Sequence, residues 1–336
     1  MLDPAPLVVP GWVWLVFHGY LAVLLLGLLI LSRKSRRVVA SREAVGLSVV
    51  FVCAALSVGA VIGWQFSPAS GVAFVTAYLV ELSLSVDNLL VLSVLLGYFG
   101  VPAPLKHRVL FWGILGAIVI RGALILGGVE VMKQFHVALY FFGVFLILTG
   151  VRLVLAREQR ADVGASPVLR FLRKRLPVTR SYVGDRLFLQ KLQRLWVTPL
   201  FLVLAMSSVA HMVFAVDSVP AVLGVTTDPF LAYSSNLLAI AALPALYVAL
   251  AGVIERVQSL RVGLGAMLVF IGLKMLASDW LLSVGREVPE WFSLAVIATC
   301  IATSALVSWF AHRRDRERDL LGRRRSHRAP KPEEAL

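Results

Sequence analysis

The sequence predicts an all-α fold: a polytopic transmembrane helix bundle of about nine helices, built around two inverted three-helix repeats. Three observations carry that expectation. Hydrophobic residues make up 59% of the 336 and charged residues 15%, with a mean hydropathy of +0.85. No soluble domain of this length needs so much apolar surface. Nine apolar stretches, near 12–31, 44–63, 71–99, 107–130, 135–155, 199–225, 229–253, 259–281 and 288–311, are long enough to be spanning helices; crossing about 30 Å of hydrocarbon takes about 20 helical residues. Finally, two segments 130 residues apart place an aspartate inside such stretches: Leu84-Ser85-Val86-Asp87-Asn88 and Phe214-Ala215-Val216-Asp217-Ser218.

The first stretch has no basic residue before it, while Arg33, Lys34, Arg36, Arg37 and Arg42 follow it. That pattern marks a spanning helix with its N-terminus outside rather than a cleavable signal peptide. His18 on this helix has no polar neighbour at helical spacing beyond serine and backbone groups, so a structural role is expected. In the second stretch, Gly59-x-x-x-Gly63 points to close helix packing. Residues 1–70 thus hold two N-terminal helices. The first repeat covers 71–155, a basic linker with Pro167 and Pro177 covers 156–198, and the second repeat covers 199–281. A final helix (282–311) and a basic tail (312–336) complete the chain.

Charge fixes the expected orientation. The net charge of +14 is concentrated in alternate loops: the cluster after the first helix, Lys106 and Arg108, ten basic residues in 156–198, Arg256 and Arg261, and nine after 311. The intervening loops hold only Lys133 and Arg286. Basic loops stay on the cytoplasmic side, so the C-terminus is expected there. The linker and tail are expected against anionic lipid, not nucleic acid. All eight tryptophans fall near proposed helix ends, where indoles prefer the headgroup region. Cys53 and Cys300 lie far apart with neither metal-ligand nor disulfide spacing.

Each repeat opens with the Val-Asp-polar segment and closes with a similar helix, Phe145-Leu-Ile-Leu-Thr-Gly-Val-Arg152 against Leu268-Val-Phe-Ile-Gly-Leu-Lys274. Counting crossings makes the two copies antiparallel in the membrane. Inverted repeats place substrate sites near the midplane, at the repeat interface.

A carboxylate at that depth costs on the order of 3 kcal/mol, so two in matching sequence are expected to work. Glu81, Ser85 and Asn88 share a helical stripe, and Asp87 lies about 100° round from Asn88. Carboxylate, hydroxyl and amide oxygens suit Mg²⁺, Ca²⁺ or Mn²⁺. A straight helix cannot aim Glu81 and Asp87 at one point, so another aspartate must come from across the bundle. The equivalent stripe in the second copy is Ser208, His211, Ala215 and Ser218, with Asp217 beside it. Pro220 can break that helix and free carbonyls to face an ion. His211 matches Glu81 in position, either as ligand or proton relay, or as a histidine bonded to Asp87, Asp217 or a carbonyl. Arg121 is expected to pair with Glu81 or Asp87, Arg152 to snorkel, and Asn236 to add an oxygen or bridge helices. The expected metal set is therefore Glu81, Asp87, Asn88, His211, Asp217 and Ser218, supported by Ser85, Arg121, Ser208 and Asn236. No nucleophile–base pair or His-Glu-x-x-His spacing lies within the spans, so no catalytic residue is assigned.

Glu81-Leu-Ser-Leu-Ser-Val-Asp-Asn88 and His107-Arg-Val-Leu-Phe-Trp-Gly-Ile-Leu-Gly116 with Arg121 resemble the first half of the tellurium-resistance TerC family. Phe214-Ala-Val-Asp-Ser-Val-Pro220, Thr227-Asp-Pro-Phe230, Ser235-Asn236 and Ala245-Leu-Tyr247 resemble its second half. The likeness covers roughly 11–281. It implies a bacterial multi-spanning protein related to LysE-like transporters, linked to manganese export and tellurite resistance. It also implies that Glu81, Asp87 and Asp217 carry the metal, which is cargo rather than a permanently bound cofactor. Three positions depart from the family pattern: Ser208 stands for a Glu, His211 for an Asp and Pro244 for an Arg. Losing carboxylates and gaining an imidazole shifts preference toward metals that tolerate nitrogen. The functional expectation is a divalent-cation exporter, Mn²⁺ first. The alternative is a non-transporting scaffold in tellurite or metal-stress resistance, with partners on the basic loop.

Overall fold

The computed structural model describes residues 7–34, 41–155, 163–191, 194–250, 258–284 and 288–307. The elements follow in chain order as α1 (Gly11–Lys34), α2 (Ser41–Gln65), α3 (Pro68–Tyr98), α4 (Ala103–Gln134) and α5 (Val137–Leu155). Then come α6 (Pro167–Arg175), strands β1 (Phe188–Lys191) and β2 (Arg194–Val197), α7 (Pro199–Leu223), α8 (Pro229–Ala241), α9 (Leu243–Leu250) and α10 (Gln258–Ser283). The last is α11 (Glu290–Val307). Among the described residues nine stretches are long and apolar enough to cross a membrane, at the places the hydropathy predicts. The tail 312–336 and Arg286 lie outside the described residues.

Helix starts follow from capping. Ser67 accepts from the Ser70 amide at 3.1 Å, with Pro68 opening α3. Asp228 caps α8: its Oδ1 accepts from the Phe230 and Leu231 amides at 2.9 Å each, and its Oδ2 from the Leu7 amide at 2.8 Å. An aspartate at this position satisfies amides left over at a helix start and complements the helix dipole.

One proline expectation and one helix boundary are corrected. α7 runs unbroken through Pro220 and ends a turn later, although the ring still leaves the Val216 carbonyl without its amide donor. The break comes instead in the seventh span, expected as one helix, which divides at Ala242 into α8 and α9. Pro244 has no N–H for the Ile240 carbonyl and crowds it, so the helix restarts there.

The linker was expected as a loop, and its described part is folded. α6 is followed by an antiparallel hairpin pairing Phe188 with Val197 and Lys191 with Arg194. Tyr182 donates to the Phe99 carbonyl at the end of α3 at 2.9 Å. Arg108 pairs with Asp185 and holds its carboxyl below the usual carboxylate range. A depressed pKa supports the folded form at neutral pH, and that support is lost as acid protonates the group. Leu169 is buried against the cluster that includes Leu200, Leu202 and Val203 of α7.

α8 is the innermost span; of Phe230–Ala241, Tyr233 alone is not buried. It packs on α3 and α4, while α4 packs along α7 and α2 along α3. Outward residues such as Val49, Phe141, Leu148 and Val216 are exposed and apolar, as a lipid-facing surface requires. The Gly59-x-x-x-Gly63 expectation holds: a Cβ on Gly71 of α3 would lie 2.7 Å from the Gly63 Cα.

The most extensive pairing is between α5 and α10. A Cβ on Gly150 would sit 2.6 Å from the Gly265 carbonyl oxygen, and one on Gly265 would sit 2.6 Å from that of Gly150. Gly143 and Gly272 meet in the same reciprocal way, at 3.1 and 2.6 Å. Partner numbers fall along one helix as they rise along the other, so the helices run antiparallel. Backbone-to-backbone contact of this kind cannot relax by moving a side chain. Gly150→Ala or Gly272→Ala is therefore expected to lower stability by about 1–3 kcal/mol, read as a fall in the thermal midpoint in detergent. Gly127→Ala, where a Cβ meets nothing within 4 Å, should leave the midpoint unmoved.

Candidate functional site

The site begins with a buried ion pair. Glu81 of α3 and Arg121 of α4 are 0% and 1% exposed, and the guanidinium contacts Oε1 directly. Asn236 of α8 donates its Nδ2 to Oε2 at 2.8 Å, and Ser85 donates to Oε1 at 3.5 Å. With its amide turned to match donors with acceptors, Asn88 accepts from Arg121 at 3.1 Å and donates to the Leu84 carbonyl at 3.3 Å. Of the two partners expected for Arg121, the fold provides Glu81. Three helices are thereby tied through one carboxylate.

α3 is helical throughout this region, without local unwinding. Positions 81 and 87 therefore stand about 120° apart around it. Asp87 lies on the helix, but its side chain is outside those described, as is that of His107.

On α7, the buried stripe is Ser207, His211, Ala215 and Ser218. Ser208, expected on that stripe, is half-buried and donates to its own Leu204 carbonyl at 3.0 Å. The better sequence signal was spacing: Ser207 stands four residues before His211. The stripe faces glycines of α4. A Cβ on Gly113 would lie 3.0 Å from Ser207 Oγ and 3.6 Å from His211 Nε2. Gly113 thus lets the imidazole lie against the α4 backbone, within electrostatic reach of Arg121.

Several buried polar atoms here have no hydrogen-bond partner among the described residues: His211 Nδ1, Ser207 Oγ, Ser218 Oγ and Asn236 Oδ1. Tyr78 Oη is another, missed by sequence reasoning although it stands three residues before Glu81. Each such atom costs about 1–3 kcal/mol if left dry. Asn236 belongs to the ion-pair network and His211 lies within electrostatic reach of Arg121, so polar atoms without partners among the described residues extend from the pair onto α7.

Asp217 stands apart from the Glu81 network. It is half-buried on α7, and Arg152 of α5 acts on it electrostatically. Arg152, expected to snorkel, therefore also serves as countercharge to an intramembrane carboxylate. Lys274 pairs with Glu290 of α11 at 3.5 Å. Among the described residues no three of His, Cys, Asp and Glu gather into a metal cluster. Any cation held here would need amide, hydroxyl and carbonyl oxygens as well.

With this geometry in place, residues 66–316 match the integral membrane protein TerC family. The chain belongs to that family. It is 40% identical over 300 residues to the membrane protein STKORF319 of Myxococcus xanthus, covering 89% of this chain and 92% of that one. It is 39% identical over 315 residues to Alx of Escherichia coli K12, covering 91% and 97%, a protein named as a candidate membrane-bound redox modulator. The Salmonella typhi protein of the same name is 38% identical over 316 residues, covering 90% and 97%. No solved structure matches the chain. The TerC region runs from just before α3 through α11, leaving α1 and α2 as additions at its N-terminal side.

Removing one partner of the ion pair leaves the other buried and unpaired. Arg121→Gln alone is expected to cost this TerC protein about 3–5 kcal/mol. Glu81→Gln combined with Arg121→Gln should recover most of that. Equilibrium unfolding of Arg121→Gln, Glu81→Gln and the double variant in mixed micelles measures the coupling, and additive losses would mean that the pair does not act as a unit.

Proposed function

We propose that this TerC-family protein exports a divalent cation, Mn²⁺ first, across a bacterial inner membrane by alternating access of two inverted three-helix repeats. The N-terminus lies outside. The observation that carries the proposal is the buried Glu81–Arg121–Asn236 network within apolar spans, together with buried polar atoms that have no hydrogen-bond partner among the described residues. Intramembrane ionisable groups are costly enough that pathways are where they are kept.

Helix pairing supports the repeat. Matching Gly143 with Gly265 and Gly150 with Gly272 exchanges the two backbone contacts between α5 and α10. Matching α3 with α7, α4 with α8 and α5 with α10 likewise turns the α3–α8 contact into the α7–α4 contact. That is the relation expected of a two-fold axis in the membrane plane.

In this mechanism Asp217, Ser218 and the Val216 carbonyl freed by Pro220 form one side of the cation site, and Asp87 and Asn88 form the other. Arg121 neutralises Glu81 and orients it, while Arg152 offsets Asp217 until a cation arrives. His211 supplies nitrogen where the family pattern has a carboxylate, widening the acceptable metals. The redox description belongs to the relatives. Here Cys53 on α2 and Cys300 on α11 are free thiols on separate helices, which gives no support to dithiol chemistry. Among the described residues no side-chain set in the spans argues for an enzyme.

The test is total cellular Mn, Zn, Fe and Mg in an exporter-deficient bacterium challenged with metal. Wild type should lower Mn severalfold, Asp87→Asn/Asp217→Asn should abolish that at matched membrane levels, and His211→Asp should sharpen selectivity for Mn. If no metal differs between wild type and the double variant, export is refuted. The scaffold reading, favoured by the folded basic linker, would then require that linker and tolerate Asp87→Asn.

A further inference from the structure

The linker carries charge that transport does not use. Among residues 163–191 and 194–198 the only carboxylate is Asp185, and Arg108 neutralises it. By contrast Arg170, Arg173, Lys174 and Arg175 of α6 are all exposed, as are Arg180 and Arg194. A surface with this much excess positive charge attracts an anionic partner.

What kind of anion follows from the apolar groups beside the cations. α6 turns Val168, Leu169 and Leu172 toward the bundle, against the core formed with α7. Its outer face carries Phe171, 59% exposed, with the Arg175 guanidinium 5.7 Å from the ring centre. On the hairpin, Leu195 is 62% exposed. A nucleic acid or acidic peptide has no use for aliphatic side chains such as Leu195, whereas an interface of phosphates above acyl chains uses both kinds of group.

Position agrees. Tyr182 binds the carbonyl of Phe99, the residue that ends α3, and Thr198 opens α7 while donating to the Arg186 carbonyl at 2.8 Å. The patch is therefore held at the level where the spans end. α6 is fixed there by packing, so the side chains need little ordering on contact.

We propose that α6 and the adjoining hairpin form an interfacial site for anionic phospholipid headgroups of the surrounding bilayer. Arg170, Arg173, Lys174 and Arg175 contact the phosphates, and Phe171 sits at the start of the acyl chains. The lipid thereby braces the linker joining the two halves of the bundle. This holds whether or not the protein exports a metal.

The test uses the full chain in nanodiscs of mixed phosphatidylcholine, phosphatidylglycerol and cardiolipin, with the lipid retained after delipidation counted by native mass spectrometry. Wild type should retain phosphatidylglycerol or cardiolipin over phosphatidylcholine. The Arg170→Gln/Arg173→Gln/Lys174→Gln/Arg175→Gln variant should reduce that preference by roughly tenfold or more, since each surface cation contributes severalfold to anionic-lipid binding. The same sites changed to lysine (Arg170→Lys/Arg173→Lys/Arg175→Lys) should keep it, which separates charge from folding. Phe171→Ser should weaken retention at high salt, where charge is screened and the apolar contact remains. Equal retention of neutral and anionic lipid by wild type would overturn the proposal. So would an unchanged preference in the glutamine variant, which would place the lipid elsewhere on the chain.

Discussion

The buried pairing of Glu81 with Arg121 constrains the rest of the molecule. Within apolar spans neither charge can be left alone, because breaking such a pair strands an ion in a medium that cannot solvate it. The pair therefore fixes α3 against α4 at one register. Its remaining lone pairs and donors must also be met, and Asn236, Ser85 and Asn88 meet them. Because Asn236 is on α8, that helix is drawn to the centre, and its near-complete burial follows. The polar lining on α7 then faces the same point, with Gly113 making room for the imidazole of His211.

Around this centre, small residues set how closely helices approach. Gly143 and Gly150 on α5 meet Gly272 and Gly265 on α10 backbone to backbone, and Gly63 and Gly71 do the same for α2 and α3. Apolar side chains on a helix gain little by leaving lipid for another helix, so close packing rather than burial from water holds such pairs. The polar, charged centre and the glycine seams thus hold the bundle together in two different ways, and the α5–α10 seam joins helices far apart in the chain.

The functional consequence is a division of labour among charges. Glu81 is paired with Arg121, and the proposed mechanism therefore gives it an orienting role. Asp217, half-buried and within electrostatic reach of Arg152, is the carboxylate to which the proposed mechanism assigns the cation. Where the resemblance leads one to expect carboxylates, this chain has Ser208 and His211, and His211 Nδ1 has no hydrogen-bond partner among the described residues.

Much of this was legible from residues alone. Hydropathy located nine spans because membrane length and apolarity leave few alternatives. Arg121 could be assigned a carboxylate partner because a lone guanidinium at that depth is untenable. The folded linker was not legible, since α6 and the hairpin are short amphipathic pieces whose shape depends on docking to Phe99 and the start of α7. Nor was the break at Ala242: two prolines in apolar helices look alike in sequence, yet α7 tolerates Pro220 near its end while Pro244 divides its span. Nor did the sequence show that Ser207 joins Ser208 against α4, the first facing Gly113 and the second Gly116, because that depends on how α7 is rotated in the bundle. By itself, the sequence determined that the chain crosses a membrane and carries charges it must pair, since both follow from the cost of polar groups in hydrocarbon. Only the tertiary structure decided that Arg121 takes Glu81, because that pairing rests on the rotation and register of neighbouring helices.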